Sequence, residues 1–310
     1  GRGMRRKVTI VLTVGFLVLL SGASLSAPPR FAPVDQLHHI HGLAVDPHDP
    51  NIVYIATHGG LVRLVGGKRW EHVGESRSDL MGFTIHPSQR GVMYVSGHPD
   101  LGSHLPNPIG VMVSRDGGQS WQPVALAGKV DLHAMTLSAD GTTLFGWNVT
   151  GSPGLYRISV RDGTWIRVDA KGIQDVFGLA AHPQRPDTLV AGTRGGLVVS
   201  RDGGRTWSPG SGALSGVPVT AVTYHPKNPE MLYAYAVAPQ LGVVKSEDGG
   251  REWKSLGFFL GEKDAVGVFA ISPHQSETIY VATFGSDLYQ SKDGGERWQP
   301  LAEHGGPVKP

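Results

Sequence analysis

The chain has 310 residues, with 44 glycines, 22 prolines and no cysteine, and 28 basic against 26 acidic residues give a formal charge of +2. That length suits one large all-β domain or two smaller ones, and the missing cysteine excludes disulfides, thiolate nucleophiles and Cys-ligated zinc or iron–sulfur sites. Near-neutrality excludes the basic footprint of a nucleic-acid binder, and no basic run marks an anionic membrane patch.

Residues 1–27 read as an export segment. Arg5, Arg6 and Lys7 form a basic start, Val8–Leu20 (VTIVLTVGFLVLL) is the apolar core, and SGASLSA supplies small residues for cleavage. The core is short for a membrane span of about 20 residues, although an uncleaved anchor is an alternative. This segment holds four of the 28 basic residues and none of the 26 acidic ones, so the remainder carries 24 basic residues against 26 acidic. Export predicts a secreted or periplasmic location. Residues 28–37 form a lead-in, 38–301 the folded domain and 302–310 a tail.

Internal repeats then decide the fold. Ser114–Trp121 (SRDGGQSW), Ser200–Trp207 (SRDGGRTW), Ser246–Trp253 (SEDGGREW) and Ser291–Trp298 (SKDGGERW) share one pattern. Worn copies lie at Val160–Trp165 (VRDGTW) and Val65–Trp70 (VGGKRW). The aspartates fall at 116, 162, 202, 248 and 293. A second element precedes each box: an apolar strand, a Pro-type turn and an aromatic-centred strand, as in Gly42–Thr57 (GLAVDPHDPNIVYIAT) and Gly82–Gly97 (GFTIHPSQRGVMYVSG). Four short strands in about 45 residues, repeated six times, predict an all-β, six-bladed β-propeller of four-stranded antiparallel blades. Asp accepts bonds from the turn's own N–H groups, the glycines supply positive φ, and the Trp covers the turn. The final repeat contains all four of its strands, so closure needs no strand exchanged between the chain's ends.

The Ser-x-Asp-x-Gly-x-x-Trp pattern resembles the Asp-box, or BNR, repeat of the sialidase-like propellers, a superfamily of sialidases, xyloglucanases, sortilin and photosystem assembly factors. The resemblance covers Gln36 to about Leu301. It implies that Asp116, Asp202, Asp248 and Asp293 are structural and lie away from the active face. The opening HHIHGLAVDP (His38–Pro47) is similar to that of bacterial secreted proteins catalogued as BNR-repeat glycosyl hydrolases. A sialidase also carries three clustered arginines, a Phe/Tyr-Arg-Ile-Pro motif and a Tyr–Glu pair. Here the nearest match, Tyr156–Ser159 (YRIS), lies mid-chain and lacks the proline. The assignable mouth positions hold no arginine, so sialidase activity is disfavoured.

Propeller geometry sorts the 14 histidines. His48, His86, His182, His225 and His274 recur in the turns between first and second strands and read as turn-packing. His72 and His304 read as solvated, and His38 as solvent-facing. Starts of inner strands and loops between second and third strands meet on the opposite face. One aligned position there reads His41, Met81, His133, Phe177, Thr220, Gly267; two residues earlier the set reads His39, Asp79, Asp131, Asp175, Pro218, Ala265. Residues i and i+2 share one side of a strand, which predicts two tiers at the channel mouth. Nearby loops add His58, His98 and His104. Blades one to three therefore concentrate imidazole, thioether and carboxylate. That set suits copper or zinc, with His39, His41 and His133 as first ligands, then Met81, His98, His104, Asp131 and His58. Met135 reads as a core residue. The alternatives are a metal-free small-ligand or carbohydrate site, a glycoside hydrolase drawing on Asp79, Asp131 and Asp175, and a scaffold for a protein partner.

Overall fold

The computed structural model describes residues 27–308; the export segment, apart from its last residue, lies outside them. Six antiparallel sheets follow one another along the chain, each built from consecutive strands. Their inner strands are Ile40–Val45, Asp79–Ile85, Leu132–Leu137, Val176–Ala181, Val219–Tyr224 and Val266–Ile271. Each inner strand packs beside the next, and the last returns to the first, closing a six-bladed ring. Alternation makes both faces of every blade apolar, so each blade is stable only between two neighbours. The six core clusters show this, each drawing residues from two adjacent blades, as where Leu43 and Ile55 of blade one meet Ala282 and Leu288 of blade six.

Closure uses more chain than the repeats alone. Phe31–Pro33, in the lead-in, pairs antiparallel with Arg69–Val73 as a fifth strand of blade one. At the other end Gln299–Glu303 turns into Gly306–Pro307. Leu37 N donates to Gly305 O at 2.7 Å, and Gln36 Nε2 to His304 O at 2.6 Å. Lead-in and tail are thus bonded parts of the ring, whose two ends meet without exchanging a strand.

On the lower face the four complete boxes share one bond pattern. Ser114 Oγ accepts from Gly118 N at 2.8 Å and donates to Asp116 Oδ1 at 2.8 Å, while Asp116 Oδ1 accepts from Ser120 N at 2.9 Å. The boxes at Ser200, Ser246 and Ser291 repeat it. Both box glycines have positive φ, and a Cβ on Gly118 (φ +90°) would lie 2.4 Å from Leu61 of the neighbouring blade. Trp207 and Trp253 close their boxes by donating Nε1–H to Gly204 O and Gly250 O. The worn copy lacks the second glycine, and its Trp165 is 43% exposed.

The His-Pro turns lie on the same face. Nδ1 of His86, His182 and His225 each accepts from the backbone N–H groups two and three residues on, at 3.0–3.2 Å. These rings must be neutral at Nδ1, and desolvation lowers the pKa of His86 and His182 accordingly. His48 and His274 do not share that place: Asp46 and Ser272 supply the acceptor there, and each histidine contributes its backbone N–H. His72 is half-buried, with Nδ1 unpaired, not solvated.

Candidate functional site

A water-accessible channel of about 370 Å³ runs through the ring, lined by the inner strands. Its upper mouth is set by a defect repeated six times. Each inner strand loses register at one residue: His41, Met81, His133, Phe177, Thr220 and Gly267. A bulge leaves one residue out of the ladder and re-aims its side chain. The aligned sequence position is thus a backbone irregularity, and the simple i, i+2 rule does not carry across it. Preceding residues adjust too: His39 and Asp175 both have φ +50°, a left-handed conformation uncommon outside glycine and worth attention in a mouth.

A further ring follows from the backbone. The first residue of each loop between second and third strands sits against the tier of Asp79: His58 N donates to His39 O, Val149 N to Asp131 O, Arg194 N to Asp175 O, Val237 N to Pro218 O and Phe284 N to Ala265 O. In blade two Asp79 pairs with His98 in the ladder. This third ring reads His58, His98, Val149, Arg194, Val237, Phe284.

The histidines and carboxylates of blades one to three form two adjoining groups. In the first, donor atoms of His41, His58 and Asp79 lie within 4.8 Å of one another. His58 Nδ1 is 3.1 Å from Asp79 Oδ1, in ion-pair range but outside hydrogen-bond alignment, so Asp79 Oδ1 and His41 Nε2 are both buried without a hydrogen-bond partner. The His39 ring stacks on His41 with centroids 6.3 Å apart and stands 5.4 Å from His58. In the second group, buried Asp131 accepts from His133 Nε2 at 2.9 Å and lies 3.1 Å from His98 Nε2. His98 Nδ1 meets Asn107 Oδ1 at 2.7 Å.

Charge follows burial. Desolvation, then repulsion from His58, His133 and His39, lowers the pKa of His41 to about 4, so its imidazole is neutral at ordinary pH. Burial raises the Asp79 pKa despite His58 and His98. Desolvation opposes charge on His98, but the Asn107 bond and the carboxylates of Asp131 and Asp79 outweigh it and raise its pKa. Only the imidazolium can donate from both nitrogens of His98 at once.

His41, His58 and Asp79 thus come together with unpaired donor atoms and His39 beside them. His133 and His98 turn Nε2 to Asp131 instead, leaving His133 Nδ1 as its free nitrogen. Met81 is the half-buried bulge of blade two. His104 is exposed, and its side chain makes no hydrogen bond or ion pair among the described residues. Met135 is buried: a Cβ on Gly82 would lie 2.4 Å from its sulfur, so it packs between blades two and three. Sequence reasoning found no arginine at the mouth, but Arg194 stands there, its guanidinium carbon 5.6 Å from the Phe177 ring centroid. Aligning the loop residues after the second strands would have found it.

Ring and boxes together define a six-bladed β-propeller built on Asp-box repeats. The sequence profile of the BNR/Asp-box repeat matches residues 112–123 and 198–209, and the chain is a propeller built on that repeat. Among curated proteins none matches the chain. Among solved structures, the GH74 xyloglucanase from Xanthomonas campestris is 18% identical with a TM-score of 0.60, the match covering 88% of this chain and 47% of that one. YCF48 from Cyanidioschyzon merolae is 12% identical with a TM-score of 0.54, covering 86% of this chain and 97% of that one. The extracellular domain of a hybrid two component system from B. thetaiotaomicron is 12% identical with a TM-score of 0.55, covering 88% of this chain and 34% of that one. At these identities the likeness is one of fold. The chain spans about half the length of the xyloglucanase.

Proposed function

We propose that this is an extracytoplasmic binding propeller whose upper mouth holds a divalent transition metal, copper or zinc, through His41, His58 and Asp79. The observation that carries the reading is the pair of buried, unpartnered donor atoms, His41 Nε2 and Asp79 Oδ1, in a group spanning 4.8 Å. A buried polar atom without a partner costs roughly 1–3 kcal/mol, which a bound cation offsets. Donors about 2.0–2.2 Å from zinc lie about 3.3 Å apart across a tetrahedral edge, close to the 3.1 Å between His58 and Asp79. Two imidazoles and one carboxylate leave a coordination position open for a further ligand. Residues 1–27, with the sequence pattern of an export segment, support a location outside the cytoplasm, as does the fold shared with an extracellular domain. Elemental analysis and calorimetry on protein beginning at residue 28 test the reading. One copper or zinc ion per chain is expected, with affinity falling at least about 100-fold in His41→Ala and Asp79→Asn and unchanged in His104→Ala. Metal binding indifferent to His41 and Asp79 overturns it.

A second reading, glycoside hydrolysis, draws on the raised pKa of Asp79, which suits a general acid, and on the fold shared with GH74 enzymes. Release of reducing sugar from xyloglucan, abolished by Asp79→Asn or Asp131→Asn, favours it over the first; neither activity nor binding of the polymer removes it.

A further inference from the structure

The half of the mouth opposite the histidines has a chemistry of its own. Blades four to six contribute Phe177, Arg194 and Phe284 as the large side chains of their rings. Phe177 lines the channel, and Arg194 lies over it. Phe284 is 54% exposed and covers Gly267, where a Cβ would stand 3.0 Å from its ring. Inner strands Val176–Ala181 and Val266–Ile271, although not neighbours in the ring, approach within 8 Å between Cα atoms. Phe177 and Gly267 both line the channel, so Phe284, lying over Gly267, stands at the same mouth.

Hydrogen-bonding capacity on this wall is nearly spent. The Thr220 hydroxyl donates to Val266 O at 2.6 Å, and Pro218, Ala265, Val237 and Gly267 have no polar side-chain atom. The polar side chains are the Arg194 guanidinium and the Asp175 carboxylate, neither in a side-chain hydrogen bond or ion pair among the described residues, and the half-buried Asp264 carboxylate, whose Oδ1 accepts from Ala265 N and Gly285 N. A sugar laid here leaves several hydroxyls unpartnered, which costs affinity. A flat apolar body meets the rings without that cost, and a carboxylate attached to it finds a guanidinium backed by an aromatic face.

We propose that this wall binds an aromatic carboxylate, with the ring system between Phe177 and Phe284 and the carboxylate on Arg194. The proposal goes beyond the metal reading and does not rest on it, since the wall binds without the metal. The test titrates 2-naphthoate into metal-free and zinc-loaded protein by calorimetry, with 2-naphthalenemethanol and cellotetraose as comparison probes. Naphthoate is expected to bind both forms. Arg194→Gln should weaken naphthoate about tenfold while sparing the alcohol, and Phe284→Ala should weaken both. Phe284 and Arg194 are exposed, so both variants fold, as circular dichroism checks. Binding to metal-free protein that survives His41→Ala supports the wall even if no metal site exists. Naphthoate binding to neither form, binding unaffected by both wall substitutions, or tighter binding of cellotetraose overturns the proposal.

Discussion

The two faces of the ring use repetition differently. On the lower face, four boxes at Ser114, Ser200, Ser246 and Ser291 place the same atoms in the same bonds, each Ser Oγ accepting from a glycine N–H at 2.8–2.9 Å. On the upper face the backbone defect also repeats six times, but the residue placed on it changes from His41 to Gly267 around the ring. Conformity on the lower face is what packing demands. Divergence on an equivalent backbone is not required by the fold, and it is there that the proposed ligand site lies. Substitutions on the lower face should therefore move stability and leave binding alone, and those on the upper face the reverse.

The largest expected effect tests the lower half of that contrast. Gly118→Ala places a methyl group 2.4 Å from Leu61 at φ +90°, combining left-handed strain with overpacking, and should destabilise by roughly 2–4 kcal/mol in urea unfolding. Zinc affinity of the folded fraction should not change. His41 is the exception on the upper face, because its burial ties binding to stability. Its pKa of about 4 lies below the ordinary 6.5, so between those values the unfolded chain takes up a proton that the folded protein refuses. Stability of the metal-free protein should fall as pH drops through that window, by up to about 3 kcal/mol, and level off with respect to this group below pH 4. His41→Asn removes that component, so the difference between the two pH profiles isolates it from carboxylate titration. Ser246→Ala should cost less, about 1–2 kcal/mol, because it strips one bond from Gly250 N and one from Asp248 Oδ1 while keeping the turn's glycines.

The repeats made the six blades and the box turns legible in sequence, because spacing and turn chemistry recur on a period the eye can align. His41 and Asp79 were legible for the same reason, as unlike residues at like positions. Pairing was not. Nothing in the order of residues says that His133 and His98 converge on Asp131 rather than on His41, since the two histidines belong to different blades and Nε2 direction is set by rotamer. Nor does spacing betray a bulge: Ile40, His41 and Gly42 read as continuous strand, and only the ladder shows that Thr57 pairs with Ile40 and Ala56 with Gly42, with nothing opposite His41. Arg194 was missed because its loop was aligned for histidines only.

The smallest expected effect locates the boundary of the site. Asp175 occupies the place in blade four that Asp79 holds in blade two, yet its carboxylate is exposed and unbonded among the described residues. Its φ of +50° is one that asparagine adopts as readily as aspartate. Asp175→Asn should therefore change stability by less than about 0.5 kcal/mol and leave zinc affinity unaltered in calorimetry. Removing a negative charge near Arg194 should, however, tighten 2-naphthoate slightly, about twofold at low salt and less at high salt, because exposed charges are screened. A loss of zinc binding in this variant would extend the proposed metal site into blade four and erase the division between histidine and aromatic walls.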